Sequence, residues 1–283
     1  MTSLTSEPES ALQSQLSELA EQVESQLSNG DRQAAVASCD AMLQLNGRYN
    51  QAHMLMARAM MPGENYGRLL SRMHQHLAPK TYAEIGVATG ASMAFAGADT
   101  RCVGIDPCPR VTADIKARVR LYPTTSDDFF ERYNLLEELG GGPLDLAFID
   151  GLHLFEQALR DFINMEKHAT PNTVVLIHDC YPPTELSAER DRAMAYWCGD
   201  VWRLIPCLIK CRPDLAVSVI PTMPSGVGLV TGLDASSTVL DTDFDAIVAE
   251  FMALEYAVLE QDRDAVLNTM ANSWPEVEAR LAS

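Results

Sequence analysis

Two apolar runs end in polar residues that can do chemistry. LDLAFID (144–150) ends in Asp150, with His153 three residues on in FIDGLH, and the run before Cys180 ends in His178 and Asp179. A carboxylate or an imidazole at the mouth of an apolar strand carries a burial cost that partners must offset. The four residues are therefore expected to converge, unless Asp150 only caps the following helix and His178 and Asp179 only end a buried strand. Imidazole, with an unperturbed pKa of about 6.5, suits proton removal near neutrality. His153 is the favoured general base and His178 the alternative. A second feature is YAEIGVATGAS, in which Gly86 and Gly90 bound a three-residue loop. Glycines let backbone turn sharply and approach a ligand closely, and a helix start after them would favour negative charge. A third is VGIDP, whose Asp106 is placed to accept hydrogen bonds from two ribose hydroxyls.

The elements that must position these residues follow from periodicity. Short apolar strands alternate with helices from Thr81, which specifies a parallel sheet with helices on both faces. Strands are expected at 81–86, 101–106, 118–123, 144–150 and 173–178, with helices at 90–98, 109–117, 127–139 and 153–169. A long helix is read over 186–211. LAVSVI (215–220) and GVGLVTG (226–232), joined by a short turn, form an antiparallel closing pair. Before the sheet, Leu12, Leu16, Leu19, Val23 and Leu27 mark one helix face, followed by helices at 32–45 and 50–61. The domain reading is thus a helical unit over 1–65 with a disordered first ten residues, an α/β domain over 66–240 and a helical tail over 241–283. In the helical unit, Gly30, Ala34, Ala35, Leu43 and Ala52 fall where a tetratricopeptide-type helix pair has its small and apolar residues. A single pair cannot bury a continuous core alone. It must lean on the catalytic domain as a lid or on a second subunit as a dimer contact.

The sequence E-x-G-x-x-x-G over 84–90 resembles the first motif of class I S-adenosylmethionine-dependent methyltransferases. A dinucleotide site would need G-x-G-x-x-G, and the loop leaves no room for a pyrophosphate. The resemblance implies a Rossmann-like sheet of five parallel strands closed by an antiparallel pair. It implies that Glu84 lies near the sulfonium or amino group of S-adenosylmethionine through solvent or the loop, that Gly86 and Gly90 line its methionine part, and that Asp106 holds the ribose. Ser126 and Asp127 stand where the family holds the adenine, although Thr125 or Ser126 is equally good helix-capping chemistry. FIDGLHLFEQALRDF followed by VVLIHDC resembles the subfamily of macrolide and aminocoumarin sugar O-methyltransferases and, more distantly, catechol-type enzymes, over about residues 80–232. It implies a divalent metal on Asp150, His178 and Asp179. The chain departs from that pattern in having His178-Asp179 for Asp-Asp or Asp-Asn, and Leu152 for an acidic residue. A histidine ligand moves preference from Mg²⁺ toward Mn²⁺, Fe²⁺ or Zn²⁺.

Composition narrows the partners. The formal charge of −18 argues against nucleic acid and anionic membranes, because such binding relies on Lys and Arg. No apolar run approaches the roughly 20 residues of a membrane span, and the start of the chain has no basic-then-apolar leader. Seven cysteines without a CxxC pair fit reduced thiols in the cytoplasm. The segment from Tyr181 through Trp202 is read as substrate wall, with Tyr181, Tyr196, Trp197 and Trp202 near the mouth and Arg190 and Arg192 as partners of a substrate or protein carboxylate. The expected activity is O-methylation of a small hydroxylated metabolite by a homodimer. The alternatives are metal-free N- or carboxyl-methylation and a non-catalytic, cofactor-binding scaffold.

Overall fold

The structure, a computed structural model, describes residues 7–282. Of the tail read as disordered, residues 1–6 lie outside the described residues, while Glu7 already opens a helix. Three helices come first, α1 (Glu7–Ser28), α2 (Arg32–Leu45) and α3 (Asn50–Met60), and a fourth, α4 (Tyr66–Leu77), precedes the sheet. The sequence reading assigns no helix to that last segment. Asn65 caps it by accepting from the Arg68 N–H, and Leu69, Leu70 and Met73 form its buried stripe.

The strands are β1 (Thr81–Ile85), β2 (Arg101–Ile105), β3 (Arg118–Tyr122), β4 (Leu146–Ile149), β5 (Val174–His178), β6 (Ala216–Ile220) and β7 (Val227–Thr231). They make one sheet in the order β3-β2-β1-β4-β5-β7-β6, with β1 to β5 parallel and β7 antiparallel to both neighbours. This is the expected Rossmann-like arrangement. The central strands are buried on both faces, which is why they read as continuous apolar runs. β3 is an edge strand, and its arginines Arg118 and Arg120 keep that edge polar.

Alternation divides the core. Ala83, Ile85, Val103, Ile105, Ala147, Ile149, Val175 and Ile177 face one side. That side is covered by α5 (Ser126–Arg132), α6 (Leu135–Glu138), α7 (Phe155–Glu166), α8 (Leu204–Cys211), α9 (Val239–Thr242), α10 (Phe244–Met252) and α11 (Ala257–Leu267). Tyr82, Cys102, Leu146, Phe148, Val174 and Leu176 face the other, under α4 and α12 (Trp274–Leu281). The helices α1 to α3 have a core of their own, but Ala57 of α3 and Met61 just after it belong to the first sheet core, so the helical unit is fused to the domain. Among the described residues, no helix is long and apolar enough to cross a membrane.

Two expected helices are absent and a third is confined to its last two turns. Residues 90–98 contain only a 3₁₀ turn at Met93–Phe95. Residues 109–117 form a loop whose Arg110 and Thr112 N–H groups bond the Ala88 and Thr89 carbonyls, so they satisfy the glycine loop instead of one another. The stretch 186–211 is two 3₁₀ turns, Leu186–Ala188 and Val201–Arg203, around an irregular segment, with α8 alone helical. Gly199 breaks it with φ +64°, and a Cβ there would lie 1.9 Å from the His153 carbonyl oxygen. The loop thus docks on the site in a conformation that favours glycine.

Arg212, at the end of α8, is buried, bonding Glu166 of α7 at 2.6 Å and Asp214 at 2.7 Å. Removing one partner of a buried pair leaves an uncompensated charge, so Arg212→Ala should destabilise the fold by about 3–5 kcal/mol. Urea unfolding of the variant against the parent checks this, and Glu166→Gln in the Arg212→Ala background should recover part of the loss.

Candidate active site

β1 delivers the glycine loop and β4 delivers Asp150, and the two strands are paired with Ile85 opposite Ile149. The Asp150 N–H donates to the Ile85 carbonyl at 2.8 Å. Gly86, at φ +88°, is so close that a Cβ would lie 1.8 Å from the Asp150 carbonyl oxygen. Glycine is needed here for the approach of two backbones as much as for the turn. Asp106, after β2, accepts from the Ala88 N–H and from its own loop at the Cys108 N–H, both at 2.7 Å, and so fixes the loop's shape.

The four residues at the ends of β4 and β5 come together as expected. His153 Nε2 is 3.3 Å from Asp150 Oδ1, and His153 Nδ1 is 2.9 Å from Asp179 Oδ2. His178 Nδ1 is 3.3 Å from Asp150 Oδ1 and 3.4 Å from Asp179 Oδ2. His153 and Asp179 both have left-handed backbone, φ +61° and +62°, a costly conformation for residues other than glycine that the surrounding packing must impose. Burial opposes charge on each of the four, but the charges oppose that burial more strongly. Asp179 and Asp150 hold His153 up to about 10. The same carboxylates raise His178, and the imidazoles hold Asp150 and Asp179 below the usual carboxylate range. Asp150, His153 and Asp179 each present one ligand atom, all within 4.8 Å of one another. The sequence reading paired the two aspartates with His178 as ligands; His153 completes this group, while His178 stands against the same two carboxylates.

Asp150 does not cap α7. The Phe155 N–H at the start of that helix donates to Asp200 Oδ1 at 2.7 Å, from the 189–200 loop. Asp200 is buried and also receives Arg190 and Arg203, and Arg190 forks onto Glu156. Arg190 therefore braces the loop and is not placed for a substrate carboxylate. Trp202 lies wholly in the core, whereas Trp197 stacks on the His153 ring at 5.1 Å.

A cavity of about 800 Å³ joins the loop to the cluster, a volume within the usual range for small-molecule sites. Gly86, Asp106, Ser126 and Asp127 line it together with Asp150, His153, His178 and Asp179. Glu84 and Gly90 do not. Glu84 is fully buried behind the loop, accepting from Tyr82 Oη at 2.7 Å and Ser92 Oγ at 2.5 Å, and a Cβ on Gly90 would meet Ile115 and Val111. Glu84 stands on the same strand face as Tyr82, so alternation alone turns it away from the cavity. Thr125 caps α5 by accepting from the Asp128 N–H, which leaves Ser126 and Asp127 to Gln157 Nε2 at 3.2 and 3.1 Å. Gln157 also bonds buried Asp161, which burial pushes up to about 6. Gln157 and Asp161 escape the sequence reading, although their four-residue spacing puts both on one face of α7. Tyr66 was missed as well; it packs on His178 at 4.6 Å.

The sheet order, the glycine loop after β1 and the acidic end of β2 are those of a Rossmann-like methyltransferase fold. Residues 83–180 match the model of a methyltransferase domain family. Similar solved structures include the O-methyltransferase TomG from Streptomyces achromogenes, involved in tomaymycin synthesis and solved with S-adenosylmethionine. It shows 18% identity over 62% of this chain and 83% of that one, with a TM-score of 0.45. Others are an O-methyltransferase from Bacillus cereus with S-adenosylhomocysteine (16% identity, 69% and 90% covered, TM-score 0.44) and the Podospora anserina methyltransferase PaMTH1 (15%, 83% and 99%, 0.45). No match was found among curated proteins.

Burial raises Glu84 to about 7, against the opposing bonds from Ser92 and Tyr82. The folded state therefore keeps this proton while the unfolded chain loses it near the ordinary carboxyl pKa, so its contribution is full below that pKa and is lost as pH rises toward about 7. The stability of the parent relative to Glu84→Gln should fall over that window and level off above it. Denaturation of both proteins across pH 4.5–8, values chosen to bracket the window, checks the sign; a constant difference would contradict it.

Proposed function

We propose that the protein is an O-methyltransferase that uses S-adenosylmethionine and a divalent metal to methylate a hydroxyl of a small molecule. The observation that carries this reading is the convergence of Asp150, His153 and Asp179 in the cavity that the glycine loop also lines. His153 Nδ1 and Asp179 Oδ2 are buried and 2.9 Å apart, yet neither has an aligned hydrogen-bond partner. Atoms bound to one metal at about 2.0–2.2 Å lie about 3 Å from each other, so the spacing fits ligands that await a shared ion. Two carboxylates with an imidazole suit Mn²⁺, Fe²⁺ or Zn²⁺ better than Mg²⁺.

When bound, the metal would lower the pKa of a coordinated hydroxyl, and the sulfonium would supply the methyl group. Gly86 gives the cofactor close backbone access, Asp106 offers its carboxylate to the ribose, and Ser126 and Asp127, held by Gln157, border the adenine end. Trp197 keeps His153 in place and excludes water from one face of it. The main contribution of these residues is alignment of the nucleophile with the methyl group. The geometry favours a ligand role over a metal-free general base, because both nitrogens of His153 lie within 3.3 Å of a carboxylate oxygen.

Calorimetric titration of metal-stripped protein with S-adenosylhomocysteine and then Mn²⁺ tests the reading. Both should bind the parent, and Asp150→Ala and Asp179→Ala should each weaken Mn²⁺ by about tenfold to a hundredfold or more. Cofactor binding without metal binding would return the chemistry to His153 or His178; binding of neither would reject the reading.

A further inference from the structure

Resting on that O-methyl-transfer reading, we propose that the helical unit forms the substrate-selecting wall of the active site, and that this wall admits flat, apolar hydroxylated rings while rejecting anionic ones. Asn50 and Met54 of α3 line the same cavity as the acidic cluster. The helix is registered on the 181–198 segment. Asn50 Oδ1 accepts from the Tyr196 N–H at 2.7 Å, His53 Nδ1 bonds Thr184 Oγ1 at 2.9 Å, and the His53 ring stacks on Tyr196. The helical unit, beside its own core, thus leans on the rest of the chain at the cavity itself.

Two kinds of observation describe what this wall accepts. Met54 and Leu152 line the cavity and are 42% and 59% exposed, so much of their apolar surface is left uncovered by the described residues. Trp197, lying flat on His153, supplies an aromatic plane beside them. A ring with an apolar face fills such a space. The second observation is charge. Asp106, Asp127, Asp150, Asp161 and Asp179 line the cavity, and no Lys or Arg does among the described residues. The neighbouring cations are held elsewhere: Arg192 donates to the Met194 and Ala195 carbonyls beneath Trp197, and Arg160 pairs with Asp127. The two imidazoles or one divalent ion, with Arg160 on Asp127, still leave two of the five carboxylates without a cation. A carboxylated, sulfonated or phosphorylated acceptor would meet like charge with no partner, which costs affinity.

The test uses full-length protein with Mn²⁺ and S-adenosylhomocysteine, titrated with a vicinal dihydroxynaphthalene and with its ring sulfonate. The parent diol should bind, and the sulfonate should bind about tenfold more weakly or worse. Met54→Lys, a substitution at an exposed position, should narrow that ratio by tightening the sulfonate. Equal binding of the two probes, a ratio unmoved by Met54→Lys, or binding of neither probe while S-adenosylhomocysteine still binds would overturn the inference. Failure of S-adenosylhomocysteine itself to bind would instead reject the methyltransferase reading beneath it.

Discussion

The contact between Gly86 and the backbone of Asp150 fixes everything that follows. Parallel pairing of β1 with β4 brings the ends of both strands to the same level, and the missing side chain lets the two loops touch. Any residue with a Cβ would force them apart, and the glycine loop would separate from the acidic cluster. The first of the five parallel strands therefore does two tasks: it carries the loop, and it sets the distance from that loop to the acidic cluster.

The cluster itself is a problem of charge in a small, partly buried volume. Two carboxylates without partners would repel each other and lose hydration. The two imidazoles resolve this, and an ion held at the same place would resolve it in the same way. The cost extends into the backbone, since His153 and Asp179 are both left-handed. Supports come from far along the chain: Trp197 covers His153, Tyr66 covers His178, and Asp200 takes over the helix start that Asp150 leaves uncapped. The irregular stretch 189–200 is consequently part of the site, braced by Arg190 and Arg203, and is not a mere connector.

The strands and the pairing of their polar ends were legible because a parallel sheet writes itself as short apolar runs, and because ligands of such sheets gather at the strand ends. That Glu84 stands behind the loop and not in the cavity was not legible, because the motif names a residue type while pleating decides its direction. The helices expected at 90–98 and 109–117 failed for another reason. Their residues have helical composition, but the glycine loop needs the N–H groups of Arg110 and Thr112, and that demand is non-local. The stretch 186–211 likewise carries apolar residues at helical intervals, yet Gly199 and Asp200 are required at His153 and Phe155. What periodicity could have supplied and did not is α4, whose Asn65 cap and Leu69-Leu70-Met73 stripe are plain in the sequence. Gln157 and Asp161 are similar: their shared helix face was visible, but the cavity beneath it was not.

The central claim is that one cavity aligns a cofactor on the β1 and β2 loops with a metal on the ends of β4 and β5. Crystals grown with S-adenosylhomocysteine and Mn²⁺, measured for anomalous scattering, test it most directly. An anomalous peak is expected about 2.0–2.3 Å from oxygens of Asp150 and Asp179 and from a nitrogen of His153, with the ribose of S-adenosylhomocysteine at Asp106. A cofactor product seated at Asp106 with no peak between the two aspartates, or a peak elsewhere in the molecule, would contradict it.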